Sequence, residues 1–177
     1  AIEIGDSKYT FKELNWRANR LSNALLDNGI SKGDKVATMM TNRLELVLMY
    51  WAAAKTGIVI VPMSTMLQPA GLKPLLNDSD SLMIIADVSF AQLLNNIRQD
   101  LAAIKNDRYI SVGGDVAPAG FLNFDKFIQT ASKNEPPDPI LTDNDVYNIM
   151  YSSGTTGSPK GIIHTHHIRS CYCTLFA

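Results

Sequence analysis

Short apolar runs alternate with longer stretches of helical periodicity over the first two thirds of the chain. Uninterrupted β-branched runs are typical of strands covered on both faces, whereas apolar residues spaced three and four apart indicate amphipathic helices. The predicted strands are Lys35–Met40, Ile58–Met63, Ser81–Ala86 and Arg108–Val112. The predicted helices run from Thr10 to Gly29, from about Arg43 to Lys55, over Pro69–Asn77 and over Phe90–Ile104. This order favours an α/β fold, a largely parallel sheet flanked by helices.

Turn and capping residues support the ends of these elements. Ile2–Ile4 and Lys8–Thr10 flank the turn sequence GDS, which predicts a short hairpin. The pattern T-x-x-E that begins at Thr10 is a capping box and opens a helix. Gly29 and Gly57 stand where glycine commonly closes a helix.

The region after the fourth predicted strand is less regular. Asn123–Ala131 has the pattern of a short helix, and Ser132–Val146 is a polar, proline-rich surface connection. We therefore expect a boundary between subdomains near residues 132–145.

A strand candidate, Asp145–Tyr151, leads into the polar sequence SSGTTGSPKG, and the β-prone run Gly161–Thr165 follows. Phosphate is held best by a concave run of backbone N–H groups, which requires glycines that can take positive φ angles. Hydroxyl groups add donors, and a lysine adds positive charge. The pattern therefore predicts a strand–loop–strand hairpin that binds phosphate. The glycines are Gly154, Gly157 and Gly161, the hydroxyl residues are Ser152, Ser153, Thr155, Thr156 and Ser158, and the lysine is Lys160.

The loop has two interpretations other than a phosphate-binding hairpin between strands. A Walker A loop, G-x-x-x-x-G-K-[ST], matches the spacing from Gly154 to Lys160. However, Pro159 replaces its second glycine, Gly161 replaces its Mg²⁺-binding hydroxyl, and a strand rather than a helix is expected to follow. We therefore reject the P-loop assignment. The remaining alternative is a Ser/Gly-rich surface turn without a ligand.

Composition excludes several classes of function. The chain has 177 residues, with 16 basic against 17 acidic side chains, and this balance argues against a nucleic-acid partner. No apolar run approaches the roughly 20 residues of a membrane span. No secretory leader is recognisable at the start, and the two cysteines fit a reducing, cytoplasmic location.

The sequence YSSGTTGSPKG closely resembles the signature loop of the adenylate-forming (AMP-binding) superfamily. The resemblance extends upstream to Ser31–Ser64 and Leu75–Ala86, so it covers nearly the whole chain. The segment IMYSSGTTGSPKGIIHTH is most similar to the corresponding segment of acyl-CoA synthetases that act on fatty or aromatic acids. The first hydroxyl position, commonly Thr in the family, is Ser152 here.

The resemblance implies a ligase that uses ATP, Mg²⁺ and coenzyme A. A small-molecule carboxylic acid attacks the α-phosphorus of ATP to give acyl-AMP and pyrophosphate, and the thiol of CoA then displaces AMP. The loop would hold the β- and γ-phosphates and stabilise charge on the departing pyrophosphate. The phosphate-binding residues carried over from the family are Ser152, Ser153, Gly154, Thr155, Thr156, Gly157 and Lys160.

Three histidines follow the loop. Strand alternation would place His164 and His166 on one face, a spacing that can bind metal, but no third ligand lies nearby in sequence. We therefore predict no metal site. His166 matches a histidine frequent at this point in the family, which implies a supporting role near the nucleotide; otherwise it caps or packs.

Other candidates have simpler interpretations. Cys171 and Cys173 are expected to be reduced, buried thiols, because one C-x-C supplies too few zinc ligands. Trp51 is expected in the core or at an interface. Asp78 and Asp80 resemble a carboxylate pair but are interpreted as a solvated turn.

Family members are several times longer than this chain, so we interpret residues 1–177 as the N-terminal part of a large adenylation domain. The later Mg²⁺, ribose and hinge motifs and the small C-terminal domain with its lysine have no counterpart here. No catalytic residue is therefore assigned, and the chain alone is expected to be inactive. The alternatives are a short non-catalytic nucleotide-binding module and a peptide-synthetase adenylation domain. Unpaired sheet edges would favour a homo-oligomer.

Overall fold

A seven-stranded sheet in the order β7-β6-β5-β3-β4-β8-β9 forms the centre of the computed structural model, which describes residues 2–152 and 159–175. A separate two-stranded hairpin, β1-β2, precedes it. All neighbouring strands of the large sheet are parallel except β8 and β9. The strands are β1 (Ile2–Ile4), β2 (Ser7–Tyr9), β3 (Lys35–Met39), β4 (Val59–Pro62), β5 (Ser81–Asp87), β6 (Tyr109–Val112), β7 (Leu122–Asn123), β8 (Val146–Ser152) and β9 (Lys160–Thr165).

Helices cover both faces of the sheet and confirm the predicted α/β fold. Apolar residues of α1, α2 and α5 pack on one face, and those of α3 and α4 pack on the other. None of the helices in residues 2–152 and 159–175 has the length and apolar character needed to cross a bilayer. The helices are α1 (Phe11–Asp27), α2 (Leu44–Thr56), α3 (Pro69–Asp78), α4 (Ala91–Ile97), α5 (Phe124–Gln129) and α6 (His166–Leu175).

The central strands are buried because they are apolar on both faces. Val36 of β3 pairs with Ile60 of β4 and Met83 of β5, and the accessible surface of all three is 1% or less. Each such side chain contributes about 1.5–3 kcal/mol when it leaves water. The continuous apolar runs of the sequence therefore correspond to strands with a helical layer on each side.

The predicted helix ends are also confirmed. Thr10 Oγ1 accepts a hydrogen bond from the Glu13 N–H at 3.2 Å, and Glu13 Oε2 accepts one from the Thr10 N–H at 2.8 Å. Both bonds of the capping box are thus present at the start of α1. Gly57 ends α2 in the left-handed conformation, with a φ of 71°.

The predicted helix Phe90–Ile104 is wrong in its length. Only Ala91–Ile97 is α-helical, and single 3-10 turns precede and follow it. Leu101 and Ile104 continue the apolar spacing and are buried, but they lie in turns after the helix. After Ile97 the chain continues as a single 3-10 turn, Arg98–Asp100, and the Arg98 guanidinium donates to the Gly120 carbonyl at 2.8 Å. The apolar spacing alone could not reveal this break.

The connection at residues 132–145 lies along α1 and α2. Glu135 accepts hydrogen bonds from Asn15, Asn19 and Lys55, and these donors lower the pKa of its carboxyl to about 2. Further along, Lys32 Nζ donates to the Ile140 carbonyl at 2.9 Å. The subdomain boundary expected here stays a prediction.

We expect Gly57→Ala to destabilise the chain more than Gly33→Ala. Both glycines have positive φ, 71° and 86°, so alanine is strained at either position by about 1 kcal/mol. Only at Gly57 would the new Cβ also lie 2.8 Å from Leu141 Cδ2 and 2.9 Å from Lys32 Cγ. Urea denaturation of both variants measures the difference. Equal losses would contradict the close packing of the connection against the end of α2.

Candidate phosphate-binding site

Strands β8 and β9 form an antiparallel hairpin at one edge of the sheet. The register pairs Tyr151 with Gly161 and Ser152 with Lys160, so the chain leaves and re-enters the sheet at adjacent positions. The predicted strand–loop–strand arrangement is therefore confirmed for its two strands. Because β8 is also parallel to β4, the carboxyl ends of both strands lie at the same end of the sheet.

Two of the predicted phosphate-binding residues lie at the base of this hairpin. Ser152 ends β8 and Lys160 begins β9, and both side chains are exposed. Within the described ranges 2–152 and 159–175, neither side chain has a hydrogen-bond or ion-pair partner. Ser153, Gly154, Thr155, Thr156 and Gly157 lie outside the described residues. The assignment of all seven to phosphate stays a prediction.

A cavity of about 310 Å³ adjoins the base of the hairpin. It lies between the chain that follows β4, the helix α3 and the end of β8. Met63, Leu75 and Tyr151 give it apolar walls, and Ser64 and Ser152 add hydroxyl groups. The exposed ends of β8 and β9 therefore border a concave surface rather than a flat sheet edge.

Gly161 is needed for a different reason from the one expected. The prediction that it supplies a positive φ is wrong, because it lies within β9 and is not among the glycines with positive φ. A Cβ at this position would lie 3.1 Å from Ile149 Cγ2 and 3.4 Å from Tyr151 Cε1. Side chains of β8 thus occupy the space over Gly161.

A second place where this sheet could bind a ligand already holds an internal ion pair. The strand order reverses at β3, with β4 on one side and β5 on the other, and such switch points commonly form binding crevices. Here Arg43 bridges the carboxyl ends of β3 and β5, with its guanidinium 2.6 Å from Asp87 Oδ2 and 2.7 Å from Glu45 Oε2. Burial raises the pKa of Asp87, but hydrogen bonds from Ser89 and the charge of Arg43 outweigh it and lower the pKa.

An ion pair fixes the far end of the hairpin. Asp145, just before β8, lies 2.8 Å from Lys32 Nζ and accepts a hydrogen bond from the Thr142 N–H at 2.6 Å. These donors, the lysine foremost, lower the pKa of Asp145 to about 2. The Asp145 carbonyl also accepts from the His166 N–H at 2.9 Å, which connects the start of β8 to the start of α6.

The prediction that His164 and His166 share a strand face is wrong, because β9 ends at Thr165 and His166 begins α6. The His166 ring packs edge-on against Tyr147 at a centroid distance of 5.1 Å, and burial lowers its pKa. This favours the packing role over a metal ligand. Across the described residues, no group of three or more His, Cys, Asp or Glu side chains could hold a metal ion.

Two further expectations are corrected. Cys171 and Cys173 are free thiols but are not buried, since both lie on α6, Cys171 partly exposed and Cys173 exposed. Helix α6, which carries both thiols, was not predicted from the sequence. Trp51 is 52% exposed and is therefore not in the core, while its alternative role at an interface stays a prediction.

Sequence analysis missed two contacts that hold the hairpin, Lys32 with Asp145 and Tyr151 with Asp78. The Tyr151 hydroxyl donates to Asp78 Oδ2 at 2.5 Å across a separation of 73 positions. Asp78 is therefore a partner of the hairpin and not simply part of a solvated turn. No local pattern in the sequence predicts such pairs, because the partners lie far apart along the chain.

Comparison with known proteins gives matches over nearly the whole chain. A family model described as AMP-binding enzyme matches residues 1–177. The long-chain-fatty-acid–CoA ligase FadD13 of Mycobacterium tuberculosis is 34% identical over 163 residues, which cover 91% of this chain and 30% of the relative. The 3-hydroxybenzoate–CoA/4-hydroxybenzoate–CoA ligase of Thauera aromatica is 32% identical, and the match covers 31% of that relative. The chain thus spans under a third of the length of these relatives.

Solved structures match in fold as well. The anthranilate CoA ligase AuaEII in complex with anthranoyl-AMP superposes with a TM-score of 0.90 at 27% identity, over 97% of this chain and 32% of that one. The N-terminal domain of FACL13 from Mycobacterium tuberculosis superposes with a TM-score of 0.73 at 32% identity. The superposition covers 91% of this chain and 38% of that one. The parallel sheet and its terminal hairpin are thus found within longer ligases.

We expect Asp145→Asn to lower the free energy of unfolding at pH 7. The pKa of Asp145 is lowered from 3.8 to about 2, so its charge stabilises the fold above pH 4. That stabilisation is lost as the pH falls from about 4 towards 2, and the variant should then approach the wild type. Urea denaturation at several pH values measures the difference. Asp107→Asn, at an exposed carboxylate with no ion-pair partner among the described residues, is the control. A pH-independent loss in Asp145→Asn would contradict the electrostatic cause.

Proposed function

Since the chain belongs to the AMP-binding enzyme family, we propose that it supplies the pyrophosphate-binding part of an ATP-dependent acyl-CoA ligase. In the proposed reaction a carboxylate attacks the α-phosphorus of ATP, the bond to the β-phosphate bridging oxygen breaks, and pyrophosphate leaves. The CoA thiol then displaces AMP from the acyl-adenylate to form a thioester. The similarity to relatives named as fatty-acid and hydroxybenzoate CoA ligases supports a fatty or aromatic acid as substrate.

The contribution of this chain to the reaction would be electrostatic. The hydroxyl of Ser152 can donate to a phosphate oxygen, and the ammonium of Lys160 can neutralise charge that grows on departing pyrophosphate. The loop residues Ser153, Gly154, Thr155, Thr156 and Gly157 would complete the site with hydroxyl and backbone N–H donors. No general acid, general base or nucleophile is assigned to this chain.

The observation that carries the proposal is the pairing of Ser152 with Lys160 at an exposed sheet end. An exposed ammonium without a carboxylate partner among the described residues is available to an anionic ligand. The neighbouring switch point, by contrast, already holds the internal Arg43–Asp87 ion pair. With a net charge of -1, the chain as a whole does not attract anions, so a phosphate site has to be local.

The remaining components of the reaction are not assigned to residues here. The described part of the chain offers no cluster of ligands for Mg²⁺, and we place neither CoA nor the acid on it. The relatives are named as CoA ligases, which favours thioester formation over the peptide-synthetase alternative. A cytoplasmic location and self-association stay predictions.

We expect Lys160→Ala to weaken the binding of inorganic pyrophosphate to the 177-residue chain. Loss of one charge-assisted contact, worth about 1.5–3 kcal/mol, corresponds to a roughly ten- to hundredfold increase in Kd. Isothermal titration calorimetry measures Kd directly. Lys160→Arg should retain most of the affinity, because it keeps the charge. Lys105→Ala removes another exposed lysine and should leave Kd unchanged. Equal affinity of the wild type and Lys160→Ala would contradict the proposed role.

We also expect the 177-residue chain to show no carboxylate-dependent exchange between ATP and pyrophosphate. Its assigned residues bind phosphate but neither activate nor position a carboxylate. An exchange assay with labelled pyrophosphate and a panel of fatty and benzoic acids tests this. Exchange above the level without acid would show that the chain holds adenylating groups not identified here.

A further inference from the structure

Tyr151 connects the base of the candidate phosphate loop to the end of a helix. The residue is next to the end of β8, and its hydroxyl donates to Asp78 Oδ2 at 2.5 Å. Asp78 is the last residue of α3. The tyrosine ring also lines the cavity beside the hairpin. One side chain therefore spans from the outer strands of the sheet to the helical layer that covers it.

Helix α3 provides a fixed anchor for this contact. Leu72, Leu75 and Leu76 bury the inner face of the helix, each with an accessible surface of 5% or less. Its outer side is held as well, because Lys73 lies 3.0 Å from Asp100 Oδ2 and the Asn77 side chain donates to the Asp100 carbonyl. A hydrogen bond to the end of α3 thus restrains β8 against an element that is itself packed.

The tyrosine ring fixes the position of the partner strand too. Tyr151 pairs with Gly161 across the hairpin, and its Cε1 and Cζ atoms lie 3.4 Å from where a Cβ of Gly161 would be. The ring is therefore within van der Waals contact of this position, and Ile149 Cγ2 lies closer still, at 3.1 Å. Ser152 and Lys160 are the next residues in β8 and β9, so the ring lies directly beneath the pair that flanks the loop.

Asp78 destabilises the end of α3 unless its carboxylate interacts with a hydrogen-bond donor. Carboxylates are disfavoured at the C-terminus of a helix, where the macrodipole is negative. Burial and then the Asp78 hydrogen bond raise the pKa of Tyr151, so the phenol keeps its proton and donates throughout the neutral range. The contact is thus a charge-assisted hydrogen bond, which is stronger than one between neutral groups.

We propose that Tyr151 and Asp78 are positioning residues, which set the strand ends from which Ser152 and Lys160 reach a bound pyrophosphate group. This inference rests on the proposed function. Neither residue is required to touch the ligand. The Tyr151–Asp78 bond holds β8, the Tyr151 ring holds β9 through Gly161, and the two flanking side chains keep a fixed separation before the ligand arrives. Such preorganisation lowers the entropic cost of binding.

Tyr147 offers a matched control on the same strand. Its hydroxyl donates to the Tyr50 carbonyl at 2.9 Å, and it lies at the end of β8 remote from the loop. Tyr147→Phe and Tyr151→Phe each delete one phenolic hydrogen bond from β8. A purely structural role predicts similar effects of the two substitutions on pyrophosphate binding, whereas a positioning role predicts an effect of Tyr151→Phe only.

The experiment titrates inorganic pyrophosphate into the 177-residue chain and its variants by calorimetry, with urea denaturation of each. We expect Tyr151→Phe and Asp78→Ala each to raise Kd about tenfold, as for the loss of one charge-assisted hydrogen bond. The double variant should be no worse than either single one, because both remove the same contact. Asp78→Asn keeps an acceptor oxygen but loses the charge, so its Kd should lie between those of the wild type and Asp78→Ala. Tyr147→Phe should change stability but not Kd.

Hydrogen exchange tests the contact without any ligand. Tyr151→Phe and Asp78→Ala should accelerate amide exchange at residues 150–152 and 160–162 and leave the start of β8 protected, whereas Tyr147→Phe should not affect those residues. Gly161→Ala, which brings a Cβ within 3.1 Å of Ile149 Cγ2 and 3.4 Å of the Tyr151 ring, should also accelerate exchange at residues 150–152 and 160–162.

The outcomes separate the two proposals. If the wild-type chain fails to bind pyrophosphate, the proposed function is contradicted, and exchange alone then decides whether the Tyr151–Asp78 contact orders the strand ends. If the wild type binds and Tyr151→Phe or Asp78→Ala binds equally well, the positioning role is wrong while the proposed function stands. An equal rise in Kd for Tyr147→Phe would also overturn it.

Discussion

The parallel pairing of β8 with β4 is the constraint on which the candidate site depends. The chain crosses from the β7 edge of the sheet to its opposite side before β8 begins, and Ile60 then pairs with Asn148. Both residues are fully buried. Since the strands are parallel, β8 has to end where β4 ends, and the loop leaves the sheet at its carboxyl end. A hairpin paired in the opposite direction would present the same loop at the other end, away from α3 and the adjoining cavity.

Charge placement explains why the hairpin, rather than the switch point at the same end of the sheet, is available to an anion. Arg43 at the switch point is paired with two carboxylates and is largely buried, so it has little capacity for another partner. Lys160 is exposed at the hairpin, and it forms no ion pair with a carboxylate among the described residues. The hairpin is meanwhile held at its far end by Lys32 with Asp145 and next to the loop by Tyr151 with Asp78. Ser152 and Lys160, by contrast, have no side-chain partner among residues 2–152 and 159–175.

Much of the fold could be predicted because its signals are local. Buried strands such as β3 and β4 are continuous apolar runs, and the capping box at Thr10 is read from four successive residues. The end of α4 could not be predicted, since Leu101 and Ile104 keep helical spacing and are buried although the α-helix ends at Ile97. Helix α6 was likewise not predicted, because its first residues are polar.

The candidate site was recognisable from the composition of its loop, but its support was not. Asp78 and Asp145 look like ordinary surface carboxylates in the sequence, and their partners lie far away along the chain. Gly161 shows the same difference, because its need for glycine comes from the side chains of Ile149 and Tyr151 across the hairpin and not from a turn. Such contacts exist only once the sheet has brought distant segments together.

The central claim is that pyrophosphate binds at the end of the β8–β9 hairpin. A ¹H–¹⁵N NMR titration of the 177-residue chain with inorganic pyrophosphate tests it most directly, because every backbone amide reports independently. The account predicts saturable shift changes that are largest for residues 151–161 and small at the Arg43 switch point. Shift changes centred on the switch point or spread over exposed lysines, or none at millimolar pyrophosphate, would contradict it.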